Sequence, residues 1–238
     1  MKTKLIIPAL AIVSCLSIFS CKNKEENKSE MKTPVENKDA NVKTEENTAV
    51  NVEDAKTKTI ANLQAAFKGE SNATARYAAF SKKAAEEGHK EIAMLFKAAS
   101  NSEKIHAGNH KAVLEEMGVA IEPVVLDVTV KTTKENLEAA IKGESYEVAE
   151  MYPAFLKVAN AAGNQLALVS FNYAYKTEIK HKAFYEKALA AFESNTDKTL
   201  PTTYFICPTC GNTYETSAPK RCGISMTSGA KFIKINSL

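Results

Sequence analysis

Glu103 and Glu178 are each followed three residues later by a histidine, in Glu103-Lys104-Ile105-His106 and Glu178-Ile179-Lys180-His181. Three residues is just under one helical turn, so carboxylate and imidazole share a face. Both pairs fall on the apolar stripe of a helix-periodic segment, where charge is out of place. Each pair is preceded by a segment with another misplaced carboxylate, in Lys68-Gly69-Glu70-Ser71 and Lys142-Gly143-Glu144-Ser145. Glu147 lies three residues beyond Glu144. An unpaired buried carboxylate is too costly to keep without a proton or a partner. Five carboxylates and two imidazoles converging inside four helices are the ligand set of a di-metal site. Carboxylate oxygen with imidazole nitrogen suits iron or manganese.

The elements that position these groups are repeated. Asn62 to Ser71 and Asn136 to Ser145 are identical at eight of ten positions at an offset of 74, and the two Glu-x-x-His pairs follow at an offset of 75. Two helical hairpins packed as a pseudo-symmetric bundle are therefore expected. Gly88, Gly118 and Gly163 read as helix stops, and Thr59 and Thr133 as N-caps, which gives helices at 59–87, 89–117, 133–162 and 164–194. The stretch 119–132, with Pro123 and a β-branched run, reads as a long crossover. The core stripes run Leu63, Phe67, Glu70, Thr74, Tyr77, then Ile92, Phe96, Ala99, Glu103, His106, His110, Val113, Met117. The third runs Leu137, Ile141, Glu144, Val148, Met151, Phe155 and the fourth Phe171, Tyr175, Glu178, His181, Tyr185, Phe192. His110 reads as support or core, not as a ligand, and His89 as an exposed residue near a helix start.

The ends carry other signals. Residues 1–20 have a basic start at Lys2 and Lys4 and an apolar run from Leu5 to Ser20, too short for a comfortable membrane span and right for a signal peptide. The run stops at Cys21 and resembles a bacterial lipoprotein signal, with Cys21 as the lipidated residue. Lys, Glu, Asn and Thr then dominate, so 21–58 reads as a lipidated cysteine and a disordered tether reaching about 30–37 Å. This implies an exported, membrane-anchored protein of the cell envelope or periplasm. The formal net charge of +3 falls to +1 without Lys2 and Lys4, which leaves no nucleic-acid footprint. Cys207, Cys210 and Cys222 sit together near the C-terminus, so the main domain does not rely on disulfides.

Glu70-Ser71-Asn72-Ala73, Arg76-Tyr77, Glu103-x-x-His106-Ala107, Gly143-Glu144-x-Tyr146-Glu147, Met151-Tyr152-Pro153 and the cysteine tail resemble the rubrerythrin family over residues 59–238. The resemblance implies a mainly α fold: a ferritin-like four-helix di-iron bundle with a long crossover (59–196), followed by a small rubredoxin-like β domain (203–238). It implies two irons held by Glu70, Glu103, Glu144, Glu178 and His181, with Glu147 and His106 exchanging on one of them. Tyr77 and Tyr152 match tyrosines that support the ligands, and Pro153 predicts a local kink. The implied activity is a peroxidase that reduces hydrogen peroxide to water, with ferritin-like iron binding and ferroxidase activity as the alternative. Electrons would enter through the cysteine centre of a partner chain in a homodimer or larger assembly, from an unidentified donor protein.

The tail departs from the family pattern. Cys207-Pro208-Thr209-Cys210-Gly211 resembles the first rubredoxin knuckle, but the second reads Cys222-Gly223-Ile224-Ser225. The centre would hold iron with Ser225 or water as fourth ligand, or structural zinc on three thiolates, or nothing.

Overall fold

The computed structural model describes residues 51–238. The signal segment, Cys21 and the tether up to residue 50 lie outside them. Helix α1 (Val52–Glu86) packs antiparallel on α2 (Lys90–Glu116). After the crossover come α3 (Thr133–Tyr146), a π-helical turn (Glu147–Met151) and α4 (Tyr152–Ala161), then α5 (Gln165–Glu193). Three strands follow, β1 (Tyr204–Ile206), β2 (Thr213–Glu215) and β3 (Ile233–Ile235), in an antiparallel sheet of order β2-β1-β3. Among the described residues no helix is long and apolar enough to cross a membrane.

The helix ends follow capping chemistry, with two corrections. Helix α1 begins seven residues earlier than expected, because Asn51 accepts from the Glu53 amide and Glu53 and Asp54 favour the first turn. Residues 52–58, expected in the tether, are thus helical. Thr59 is no cap: it is buried mid-helix and its hydroxyl donates to the Ala55 carbonyl. The cap of α3 is Thr132, in a capping box with Glu135, while Thr133 donates its amide and hydroxyl to Glu87. Gly88, Gly118 and Gly163 end their helices with φ of 87°, 69° and 66°, the left-handed conformation of a helix stop.

The third helix departs most from expectation. Glu70 to Gly88 spans 18 residues, whereas Glu144 to Gly163 spans 19. The extra residue therefore lies within the helix itself, and the π turn accommodates it, its backbone closed by the Tyr152 amide donating to the Glu147 carbonyl. Pro153 follows at once, where it has no amide to contribute. One inserted residue resets the phase by about 100°. Tyr152 and Ala159 consequently face the core, and Met151 and Phe155, expected there, are only partly buried.

The tail is built on two sides: Cys207, Cys210 and Cys222 form a small buried cluster with Tyr214, Ile224 and Phe232, while its sheet turns toward the helices. Tyr204, Ile206 and Ile235 join the cluster of Tyr77, Phe80, Phe96, Leu137 and Tyr185 inside the bundle. Burying each such side chain contributes about 1.5–3 kcal/mol, so the sheet is fixed to the helices that present the carboxylates. Polar ties add to this: Lys97 donates to the Ser237 carbonyl at 2.9 Å, and Lys187 pairs with Glu215 at 3.2 Å. His89 is partly buried, its ring tilted against Phe192 with centroids 4.7 Å apart and its Nδ1 2.7 Å from Asp197, because the short helical turn after α5 folds back over it.

Candidate metal centres

The repeat brings its four carboxylates and both paired histidines to the middle of the bundle, all at most 2 % exposed. His106 Nδ1 lies 2.8 Å from Glu103 Oε2 and 2.8 Å from Glu178 Oε1. His181 Nδ1 lies 2.8 Å from Glu178 Oε2 and 2.9 Å from Glu103 Oε1. One N–H cannot serve two oxygens, and Glu103 Oε1 and Glu178 Oε1 are left unpartnered, as are Glu70 Oε2 and Glu144 Oε2. Four orphaned, buried carboxylate oxygens would each carry a desolvation penalty. A shared pair of cations removes it. Two overlapping donor sets have this form, Glu70, Glu103, His106 and Glu178 on one side and Glu103, Glu144, Glu178 and His181 on the other.

Charge balance in the protein alone says the same. Burial, then neighbouring carboxylates, pushes Glu70, Glu144 and Glu147 well above the usual carboxylate range. Glu178 goes the other way: burial opposes it, but His106 and His181 outweigh burial and hold it at about 2. His181 is pushed up to about 9, against burial, by Glu103 and Glu178. Protons thus do in the isolated chain what a dication does better. Glu147, the first residue of the π turn, is only partly buried and stands outside both donor sets, while His106 stands inside one.

Each repeat carboxylate is held by a tyrosine. Tyr77 donates to Glu144 Oε1 at 2.6 Å and Tyr152 donates to Glu70 Oε1. In each case the second oxygen, Glu144 Oε2 or Glu70 Oε2, is buried without a hydrogen-bond partner among the described residues. His110 is buried beside Tyr152, and burial, with His106 adding to it, pushes it down to about 3, so it is neutral at ordinary pH.

The three cysteines are free, buried and mutually close, with Cys210 Sγ 3.5 Å from Cys222 Sγ. Ser225 Oγ lies beside them, 3.2 Å from Cys207 Sγ. The Cys210 thiol, with Ser225, holds Cys207 at about 4 despite burial, which makes it a thiolate, the form that ligates metal. Asn212 and Tyr214 each reach Cys222 Sγ at 3.6 Å.

The two clusters touch. His106 Nε2 donates to the Cys210 carbonyl at 3.1 Å, and His181 Nε2 lies 3.0 Å from Thr213 Oγ1. Ser102 donates to the Gly211 carbonyl at 2.7 Å, and Asn109 to the Thr209 carbonyl at 3.0 Å. Gly211 has φ of 77°, and a Cβ there would meet His106 Nε2 at 2.3 Å. The resemblance implies a partner chain's cysteine centre over each carboxylate cluster, but here the chain's own knuckle has that place. Ser102, Asn109 and Thr213 were not singled out from the sequence. Their only signal is a polar residue on an apolar stripe or in a cysteine knuckle.

The bundle and this buried Glu/His box define a ferritin-like di-iron protein that carries a cysteine centre. The sequence pattern of the family described as rubrerythrin matches residues 61–189. Nigerythrin from Nitratidesulfovibrio vulgaris is 37 % identical over 177 residues, covering 73 % of this chain and 86 % of nigerythrin. Rubrerythrin-2 from Clostridium acetobutylicum is 34 % identical over 172 residues, 71 % of this chain and 92 % of that one. The all-ferrous structure of nigerythrin superposes with a TM-score of 0.66 at 32 % identity, over 74 % of this chain and 86 % of that chain. A Desulfovibrio desulfuricans bacterioferritin shares the fold at a TM-score of 0.56, 24 % identity, 62 % of this chain and 87 % of that one. The chain belongs to the rubrerythrin family.

Proposed function

We propose that this protein reduces hydrogen peroxide to water at a di-iron site fed by its own cysteine centre, as an oxidative-stress enzyme exported on a lipid anchor at Cys21. The observation that carries the reading is the His106 Nε2 to Cys210 carbonyl hydrogen bond, because it joins a residue of the thiol cluster to an imidazole whose Nδ1 faces the carboxylates. A ferritin-type iron store has no use for such a link.

Glu70, Glu103, His106 and Glu178 would hold one iron and Glu103, Glu144, Glu178 and His181 the other, with Glu147 the carboxylate that exchanges with His106. Bound iron supplies one electron per ion, so that H2O2, two electrons and two protons give two waters. The chain's part is to hold that charge. Carboxylates would neutralise it, Tyr77 and Tyr152 each hold one oxygen of Glu144 and Glu70 by a hydrogen bond, and the knuckle covers His106 and His181. The electron donor to the cysteine centre is a protein of the same compartment, and the working unit is a homodimer or larger.

Anaerobic stopped-flow mixing of the full-length, iron-loaded, reduced protein with peroxide tests this. Oxidation complete at about one peroxide per pair of irons, with dioxygen much slower, is the expected result. Ready oxidation by dioxygen with continued iron uptake would overturn it in favour of a ferroxidase.

Cys207, Cys210 and Cys222 would hold iron in the cysteine centre, with the Ser225 oxygen, 3.2 Å from Cys207 Sγ, as the fourth ligand. A hard oxygen donor favours the ferric state. Ser225→Cys will therefore intensify the thiolate-to-iron absorption and raise the midpoint potential by more than about 59 mV, a tenfold change for one electron. A colourless, zinc-filled wild-type centre would exclude electron entry through it.

A further inference from the structure

The two tyrosines of the pseudo-symmetric box are backed differently. Tyr77 stands in an aromatic cluster, with ring centroids of Tyr185, Phe96 and Phe80 at 5.4, 6.0 and 6.1 Å, and the buried Tyr185 hydroxyl there makes no hydrogen bond among the described residues. Behind Tyr152 is a polar chain. His110 Nε2 lies 3.2 Å from the Tyr152 hydroxyl, and His110 Nδ1 lies 2.8 Å from Ser170 Oγ. His110 is fully buried, its ring 5.4 Å from that of Phe171, and Ser170 is 4 % exposed. Such a pair in an apolar layer is costly unless satisfied internally, and neither residue belongs to a donor set or touches the cysteine knuckle.

The hydrogen bonds fix one another's direction. The Tyr152 hydroxyl has one proton and gives it to Glu70 Oε1, so it can only accept from His110. His110 must then carry its proton on Nε2. Its bare Nδ1 accepts from the Ser170 hydroxyl, whose proton has that one imidazole partner.

We propose that His110, locked by Ser170 in the Nε2–H tautomer, is a positioning residue that commits the Tyr152 proton to Glu70 Oε1 and so fixes the orientation of the Glu70 carboxylate within its donor set. This rests on the di-iron reading and adds a built-in inequality between the two halves of the box. The Glu70 half is held by a chain of three hydrogen bonds, the Glu144 half by one.

The tautomer is read directly in the full-length, metal-free protein labelled with 15N-histidine. A protonated Nε2 and unprotonated Nδ1 on His110 are expected, and a mixture of tautomers in Ser170→Ala. A His110 that is Nδ1-protonated, or a tautomer indifferent to Ser170→Ala, overturns the proposal. In the iron-loaded protein, His110→Leu will slow oxidation by peroxide about tenfold, and His110→Gln, whose amide can still donate to Tyr152, will recover most of that loss. Equal rates in wild type and His110→Leu overturn the proposal. Should His110→Leu not fold, Ser170→Ala decides, with a slower rate expected and an unchanged one fatal. Wild type inert to peroxide would remove the peroxidase reading, while the tautomer measurement, made without metal, still judges the positioning role.

Discussion

Glu178→Ala will empty the bundle of both metal ions at once. Glu178 and Glu103 belong to both donor sets, whereas Glu70 and His106 serve one and Glu144 and His181 the other. Losing Glu178 also strips both imidazoles of a carboxylate at 2.8 Å. Replacing even a residue that only supports a ligand costs 10–100-fold in metal affinity, so a shared ligand will cost at least about 100-fold. The metal-free variant will also lose about 3–5 kcal/mol, because His181, held up at about 9 by Glu103 and Glu178, keeps a buried charge with one partner gone. Glu144→Ala provides the contrast, disrupting one donor set and leaving the other intact. Iron counted per chain after gel filtration, with thermal melting of the metal-free forms, checks both effects. Equal iron content in the two variants would show that the carboxylates are not shared as the geometry requires.

Gly211→Ala will separate the two centres without emptying either. The added methyl would sit 2.3 Å from His106 Nε2 and 2.9 Å from Ser102 Oγ, on a backbone with φ of 77°. The left-handed conformation costs about 1–2 kcal/mol for a residue with a Cβ, and overpacking adds about 1–3 kcal/mol. The knuckle relieves both by lifting, which breaks the His106 to Cys210 hydrogen bond. Reduction of the oxidised bundle through the cysteine centre, followed after rapid mixing with a reductant, will slow at least about tenfold while bundle iron stays at the wild-type level. Gly223→Ala is the control, since a Cβ there meets only the Tyr214 hydroxyl at 3.7 Å. A wild-type rate in Gly211→Ala would move electron entry to another route.

The amino-acid sequence by itself determined which residues share a helix face. Spacing of three between Glu103 and His106, and between Glu178 and His181, is a local property of one helix, and the 74-residue repeat adds Glu70 and Glu144. Glycine stops were equally local, because a positive φ selects glycine. The offset change from 74 to 75 already recorded the π turn, but hydrophobic periodicity assumes an unbroken helix and so placed Met151 and Phe155 where Tyr152 and Ala159 lie. What only the tertiary structure decided are contacts between distant segments. The His106 to Cys210 bond spans 104 residues and the Ser170 to His110 bond spans 60. Nothing within either segment specifies its partner, since a serine or histidine on a helix stripe gains its meaning from what the opposite helix presents. The seating of the knuckle on its own bundle likewise follows from Tyr204, Ile206 and Ile235 entering the helical core, where burial of apolar area ties the tail to the helices that carry the site.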